Sequence, residues 1–400
     1  MGVSRYPGLF RWTNNNVPKI ALTFTICASI CASSVPQTGS TTGVSLPTAV
    51  RLKNSGWWPT KGEPARVQYV GDKTCAKCHI SIAATYLTTD MAHAAAPAGV
   101  SGSLRQHDRL HFQLGPFSYQ ILTNNSGSLL SISDGASALS QKLTWAFGKG
   151  AIGQTYVYAE NGSFYEARLS FFTSLQALGI TPGQISSIPT TLQDAVGRQM
   201  DADEARRCFG CHTTASTVNN RFDPRNAMPG VTCEACHGPG ANHVIGMNLA
   251  TEETTVKQIL DPGQLDPVES VDFCGACHRT WQDVVNSRGV ALGVLNIRFA
   301  PYRLESSRCW MKGDARITCI ACHDPHKPLV TDPVSYDPVC LRCHILWDAE
   351  ETPDHPGAAC PVAQAKCVTC HMPKYEPPGF HATFTDHWIR VVGLGVSYPN

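Results

Sequence analysis

The residues able to do chemistry in this chain are concentrated in one repeated pentapeptide. C-x-x-C-H occurs seven times: Cys75, Cys78 and His79; Cys208, Cys211 and His212; Cys233, Cys236 and His237; Cys274, Cys277 and His278; Cys319, Cys322 and His323; Cys340, Cys343 and His344; Cys367, Cys370 and His371. Chance would give roughly 0.03 copies in a chain of this composition, so the repeat is a built feature. Two thiols three residues apart lie on one side of a helical turn, where each can form a thioether to a haem vinyl group. The histidine that follows then sits under the iron as an axial ligand. Other uses of such cysteines fit less well. Zinc knuckles do not require a histidine after every pair, a redox C-x-x-C comes once per domain, and a disulfide framework would not repeat one pentapeptide. The expectation is seven covalently bound haem c groups.

An electron-transfer haem is usually six-coordinate, so each iron needs a second ligand. Eight histidines lie outside the motifs: His93, His107, His111, His243, His326, His355, His381 and His387. His326 follows His323 by three residues and His243 follows His237 by six. Tethers that short do not easily pass round the rim of the macrocycle, so each is expected on the distal face of a neighbouring haem. His381 and His387 are evenly spaced in HATFTDH, so an extended strand would point both to one side. His355 stands in a Pro-flanked loop before the last motif. His93 has a rival in Met91, because a thioether sulfur also binds haem iron. His107 and His111 read as polar-face residues of a strand.

The surrounding 400 residues set the frame. Charged residues are 16% of the chain and the formal net charge is +1, which excludes a disordered chain, a coiled coil and a basic nucleic-acid binder. The first 36 residues carry Arg5, Arg11 and Lys19 but no acidic residue, and lead into an apolar run from Ile20 to Val35. This reads as a secretory signal, with an uncleaved leader serving as a membrane tether as the alternative. Cys27 and Cys31 belong to it. Without those three cations the rest of the chain has 29 basic and 31 acidic residues. Export places the protein in the periplasm or outside the cell.

Residues 1–36 are thus expected as a signal, 37–66 as a flexible tether and 67–97 as a first haem-binding segment. Residues 98–197 read as a haem-free β-rich insert. Within it Leu110, Phe112 and Leu114 alternate with polar residues, and Asn161-Gly162 marks a hairpin. Its Trp145, Tyr156, Tyr158 and Phe164 read as core. Residues 198–400 hold the other six motifs, about one per 27 residues between Cys208 and His371. The fold expected is mainly irregular, with short α-helices around stacked haems plus the small β-rich insert: a multihaem cytochrome c architecture. Asp201 with Glu204 reads as a capping box at the start of the helix carrying Cys208. Cys309 and Cys360 belong to no motif, and a disulfide between them is one use an oxidising compartment would allow.

The chain resembles the multihaem c-type cytochrome superfamily, in the branch of the tetrahaem carrier of ammonia oxidisers and the tetratricopeptide-fused multihaem cytochromes. The resemblance rests on TCAKCH with TDMAHA, FGKGAIGQTYVYAENGSFYEARLSFF, GVTCEACHGPGANH, SRCW with TCIACHDPH, and CHMPK with FTDHWIRV. It implies electron transfer through closely stacked haem pairs, with His243, His326 and His387 as distal ligands. The partners expected are redox proteins such as a quinol-oxidising complex, other cytochromes or a terminal reductase. The alternative is an oxidoreductase acting on a small nitrogen or sulfur compound at one five-coordinate haem. No C-x-x-C-K site is present, which separates the chain from pentahaem nitrite reductases. The mass of the purified protein should exceed that of the bare mature chain by seven haem groups, and an intact-protein mass spectrum reads both that number and the cleavage site.

Overall fold

The computed structural model describes residues 66–218, 221–249, 259–287, 292–311, 316–344, 360, 362–363, 365–393 and 398. The leader, the tether before Arg66 and His355 lie outside the described residues.

The largest regular element is an antiparallel sheet of nine strands. They are β1 (Ala95–Pro97), β2 (Arg109–Leu114), β3 (Phe117–Asn124), β4 (Gly127–Ser133), β5 (Ala138–Phe147), β6 (Gly153–Glu160), β7 (Ser163–Phe172), β8 (Ala177–Ile180) and β9 (Gly197–Gln199). Strands β2 to β8 follow one another in a seven-strand meander, while β1 pairs with β5 and β9 with β7. Because β8 returns alongside β2, the sheet nearly closes on itself. The turns explain the order. Asn161 and Gly162 both have positive φ, at 50° and 79°, which is the two-residue turn that matches strand twist, and it pairs Glu160 with Ser163. Gly115 at φ 54° makes the equally short link from β2 to β3.

Alternation then decides which face is buried. Phe117, Tyr119 and Ile121 on β3, and Leu130 and Ile132 on β4, point inward, while Ser118, Gln120 and Ser131 lie on the other face. Tyr156 and Tyr158, Leu169 and Phe171 complete the core. The short helices Gly102–Gln106 and Leu192–Val196 add Leu104, Ala195 and Val196 to it.

This corrects the expectation of a mainly irregular molecule with a small β-rich insert. The nearly closed sheet is the dominant architecture, and the irregular, short-helical chain is arranged beside it. The sequence signs recognised were β2 and the β6–β7 hairpin. Strands β3 and β4 are less plain in the sequence because Leu122 and Leu129 on the outer face stand next to Ile121 and Leu130 on the inner one, which blurs the alternation. About 100 residues with a continuous inward apolar face can bury it against themselves without help from a cofactor.

The rest of the described chain consists of short helices and four small ladders or bridges, and no helix among the described residues is long and apolar enough to cross a membrane. Leu130→Ala, which removes a fully buried side chain between β3 and β5, should destabilise the protein by about 2–5 kcal/mol in a denaturant titration while leaving the haem content unchanged.

Candidate functional site

Each of the seven motifs begins in or lies within a helical turn. Three end a longer helix at the histidine itself: Ala202–His212, Pro267–His278 and Asp337–His344. Asp201 caps the first of these by accepting from the Glu204 N–H at 2.7 Å. The reciprocal half of the expected capping box is not made, because Arg198 holds the Glu204 carboxylate. The sheet fixes this helix in place. Phe209, inside the second motif, is fully buried among Trp145, Phe147, Phe164 and Phe222, with ring centroids 5.1–5.6 Å apart. Trp145 and Phe164 therefore join the helix to the sheet, whereas Tyr156 and Tyr158 lie in the main core.

Four of the other motifs are docked in pairs by carboxylates. Asp72 accepts the Cys233 N–H at 2.8 Å, and Glu234 in return accepts from the N–H groups of Val70 and Gly71, each at 2.8 Å. This joins the first motif to the third. Asp337 accepts from Lys366 and Cys367 at 2.6 and 2.9 Å, which joins the sixth to the seventh. The Cys367 and Lys366 N–H groups hold the Asp337 carboxyl below the usual carboxylate range. Sulfurs meet at these two places, Cys75 with Cys233 and Cys340 with Cys367, and at a third, where Cys274 neighbours Cys319. These thiols stand where thioether sulfurs would be.

The imidazoles form facing pairs. His79 and His243 have ring centroids 6.5 Å apart, His237 and His326 5.9 Å, and His323 and His387 6.2 Å. The first two pairs are within 22° of parallel. With metal–nitrogen bonds of about 2.0 Å, two imidazoles sharing one ion from opposite sides would have centroids about 6.2 Å apart. The ring orientation is set by Nδ1. It donates to the Ala94 carbonyl from His212, to Leu260 from His237, to Arg390 from His371 and to Thr385 from His387, at 2.8–3.1 Å. Nε2 is thereby left for a metal. Burial pushes the His387 pKa down to about 4 and also lowers His323 and His278, so these rings are neutral, the form that binds metal.

His387 is held by a buried brace. Asp386 has no exposed surface and accepts two hydrogen bonds from Arg303 at 2.8 and 2.7 Å, one from the Trp388 N–H and one from the Tyr398 hydroxyl.

The remaining expected residues lie elsewhere. His93 is exposed, with Nε2 2.8 Å from the Leu87 carbonyl. Met91 is half-buried, and its carbonyl accepts the Val231 N–H. His381 has φ 50° and packs on Phe172 of the sheet at 4.8 Å, so HATFTDH is not one strand. Only Phe384–Thr385 within it is extended in a ladder. His344 ends its helix in an exposed position, and His355 lies outside the described residues. His111 is exposed beside Gln120, and His107 packs on Phe171. Cys309 and Cys360 are not joined to each other. The residues that sequence reasoning missed are Asp72, Glu234, Asp337 and Asp386. One sign was available: D-x-x-C precedes the first and sixth motifs.

Haem c fits this arrangement. The second cysteines Cys78, Cys277, Cys322 and Cys370 face open volume, while their first cysteines are half-buried. His278 lies deep enough for burial to depress its pKa, yet its surface is uncovered, as expected beside a cleft shaped for a large planar group. With three imidazole pairs at iron-bridging separation, these features define a c-type cytochrome with several haems.

Sequence similarity points the same way. The family model described as cytochrome c554 and c-prime matches residues 185–238, which include the second and third motifs. The multiheme cytochrome MtrA of Shewanella baltica (strain OS185) is 24% identical over 200 residues, covering 46% of this chain and 47% of that protein. The chain thus spans about half the length of that curated relative. The crystal structure of the outer cell wall cytochrome OcwA aligns over 81% of this chain and 80% of its own, at 14% identity and a TM-score of 0.42. Together with the seven motifs, these similarities support the reading of the chain as a multihaem c-type cytochrome. Arg303→Met leaves Asp386 buried without its cation and should cost roughly 3–5 kcal/mol in a denaturation measurement on the haem-loaded protein.

Proposed function

We propose that this chain is an electron carrier with seven haem c groups, working outside the cytoplasm between redox partner proteins. The fourteen motif cysteines hold the cofactors and the seven motif histidines are the proximal ligands. The observation that carries the reading is the pattern of the facing imidazoles. Each pairs a motif histidine with a histidine that follows the motif two places later: His79 with His243, His237 with His326, His323 with His387. Both axial positions are then taken by protein at the first, third and fifth sites, which leaves no place there for a substrate. Met91, His93, His355 and His381 are the candidates for the remaining distal positions.

Haem bound in this way supplies a one-electron iron couple. The chain's own contribution is to hold imidazoles oriented through Nδ1, and to keep sites adjacent so that charge can pass between them. The leader, with its basic start and apolar run, favours a periplasmic or extracellular place. A quinol-oxidising complex, another cytochrome or a terminal reductase are the partners this role would need.

His326→Ala should leave the haem attached at Cys233 and Cys236 five-coordinate, so that the reduced variant binds carbon monoxide at one iron. The loss of a ligand on the haem of Cys319 and Cys322 instead would show the pairing wrong. Carbon monoxide or nitrite binding by the unmodified protein would favour an oxidoreductase with one open iron.

A further inference from the structure

Resting on the reading of the chain as a haem-loaded carrier, we propose that Arg390 binds a propionate carboxylate of the haem attached at Cys367 and Cys370. Its guanidinium is the counter-charge of that haem.

The backbone of Arg390 is fixed to the seventh motif. Its N–H donates to the His371 carbonyl at 3.1 Å, and His371 Nδ1 donates to the Arg390 carbonyl at 2.8 Å. Four residues earlier the Asp386 N–H donates to the Pro373 carbonyl at 2.9 Å, and the Ile389 N–H donates to the Ser307 hydroxyl at 2.8 Å. The segment is thus pinned from two sides, and Arg390 is held beside the residue that would bind the seventh iron.

The side chain is equally constrained, but its hydrogen bonding is incomplete. The guanidinium lies over the Tyr398 ring, 5.0 Å from its centroid. Nε is buried and has no acceptor, and no ion pair among the described residues involves Arg390. Asp386, bonded to the hydroxyl of that same Tyr398, is already committed. It accepts two bonds from Arg303, at 2.8 and 2.7 Å, and one each from the Trp388 N–H and the Tyr398 hydroxyl, both at 3.0 Å.

Other arginines in sheltered positions are completed by protein. Arg303 stacks on Trp388 at 5.3 Å and has Asp386. Arg168 gives its donors to the Asp194 and Ser187 carbonyls, and Arg198 pairs with Glu166 and Glu204. A charged donor taken out of water without an acceptor is costly. The acceptor for Arg390 therefore belongs to what fills the interior of this half of the molecule, and haem brings propionate carboxylates there. The planar fork of a guanidinium matches a carboxylate with two parallel hydrogen bonds. A cation held in that place favours the ferrous state and raises the reduction potential of the seventh site.

The test is a redox titration of the haem-loaded full chain, followed by haem absorption. Arg390→Gln should move one haem transition to a more negative potential, and Arg390→Lys, which keeps the charge, should move it less. Arg225→Gln, which removes an exposed arginine paired with Asp223, should move none. Unchanged potentials in Arg390→Gln overturn the proposal. The unmodified protein should titrate identically in chloride and in phosphate at one ionic strength, because the carboxylate is part of the haem. A potential that follows the identity of the added anion would mean a site for a free anion and overturn the assignment. If Arg390→Gln does not accumulate, cryo-electron microscopy of the unmodified holoprotein decides. A propionate of the seventh haem hydrogen-bonded to the guanidinium supports the proposal, and a guanidinium that meets only water, a free ion or another haem overturns it. Failure of the underlying reading is distinct: peptide mass mapping would then find Cys367 and Cys370 without haem.

Discussion

Backbone N–H groups at the start of a short helix are unsatisfied within that helix, and a carboxylate from another segment can take them up. The docking of the haem-binding chain depends on this interaction. Attachment helices of four or five residues are too short to hold one another through packed apolar faces. Asp72 and Glu234 accept reciprocally between the first and third motifs, and Asp337 does the same work between the sixth and seventh. Such charge-assisted bonds contribute about 1.5–3 kcal/mol each, and they are directional, so they set the distance between sites as well as stabilising it. Where no such carboxylate serves, another anchor appears: Phe209 in the aromatic cluster of the sheet for the second motif, and Arg303 with Asp386 for the segment that carries His387.

The sheet and the haem-binding chain solve the packing problem in opposite ways. Strands β2 to β8 bury their apolar residues among themselves and two short helices. The short-helical part leaves cysteines open and a deep histidine uncovered, because its interior is meant for planar cofactors. The sheet then acts as a rigid platform. Its Phe147 packs on Phe209 and lies 5.3 Å from His212, and its edge accepts His381. An electron carrier benefits from such rigidity, since a site that moves little between oxidation states loses little energy in each transfer.

The motif cysteines and histidines were legible because haem attachment is a local reaction. Two thiols and one imidazole on a single helical turn are specified by five consecutive residues, wherever the chain goes next. The β6–β7 hairpin was legible for the same reason, through Asn161 and Gly162. The closure of the sheet was not. Whether Ser118, Gln120 or Ser131 faces solvent depends on register with the neighbouring strand, and no single strand carries that information.

By itself the sequence determined the cofactor chemistry, the number of attachment motifs and the supply of histidines. The short tethers at His243 and His326 also pointed each to a neighbouring haem rather than its own. Only the tertiary structure decided which imidazole faces which, that His381 packs on Phe172 and not beside His387, and that Asp72 and Asp337 reach across roughly 160 and 30 residues to another motif. The physical reason is range. Bond formation and turn geometry are settled within a few residues, whereas a hydrogen bond or a shared axial position between distant segments exists only once the chain has brought them together.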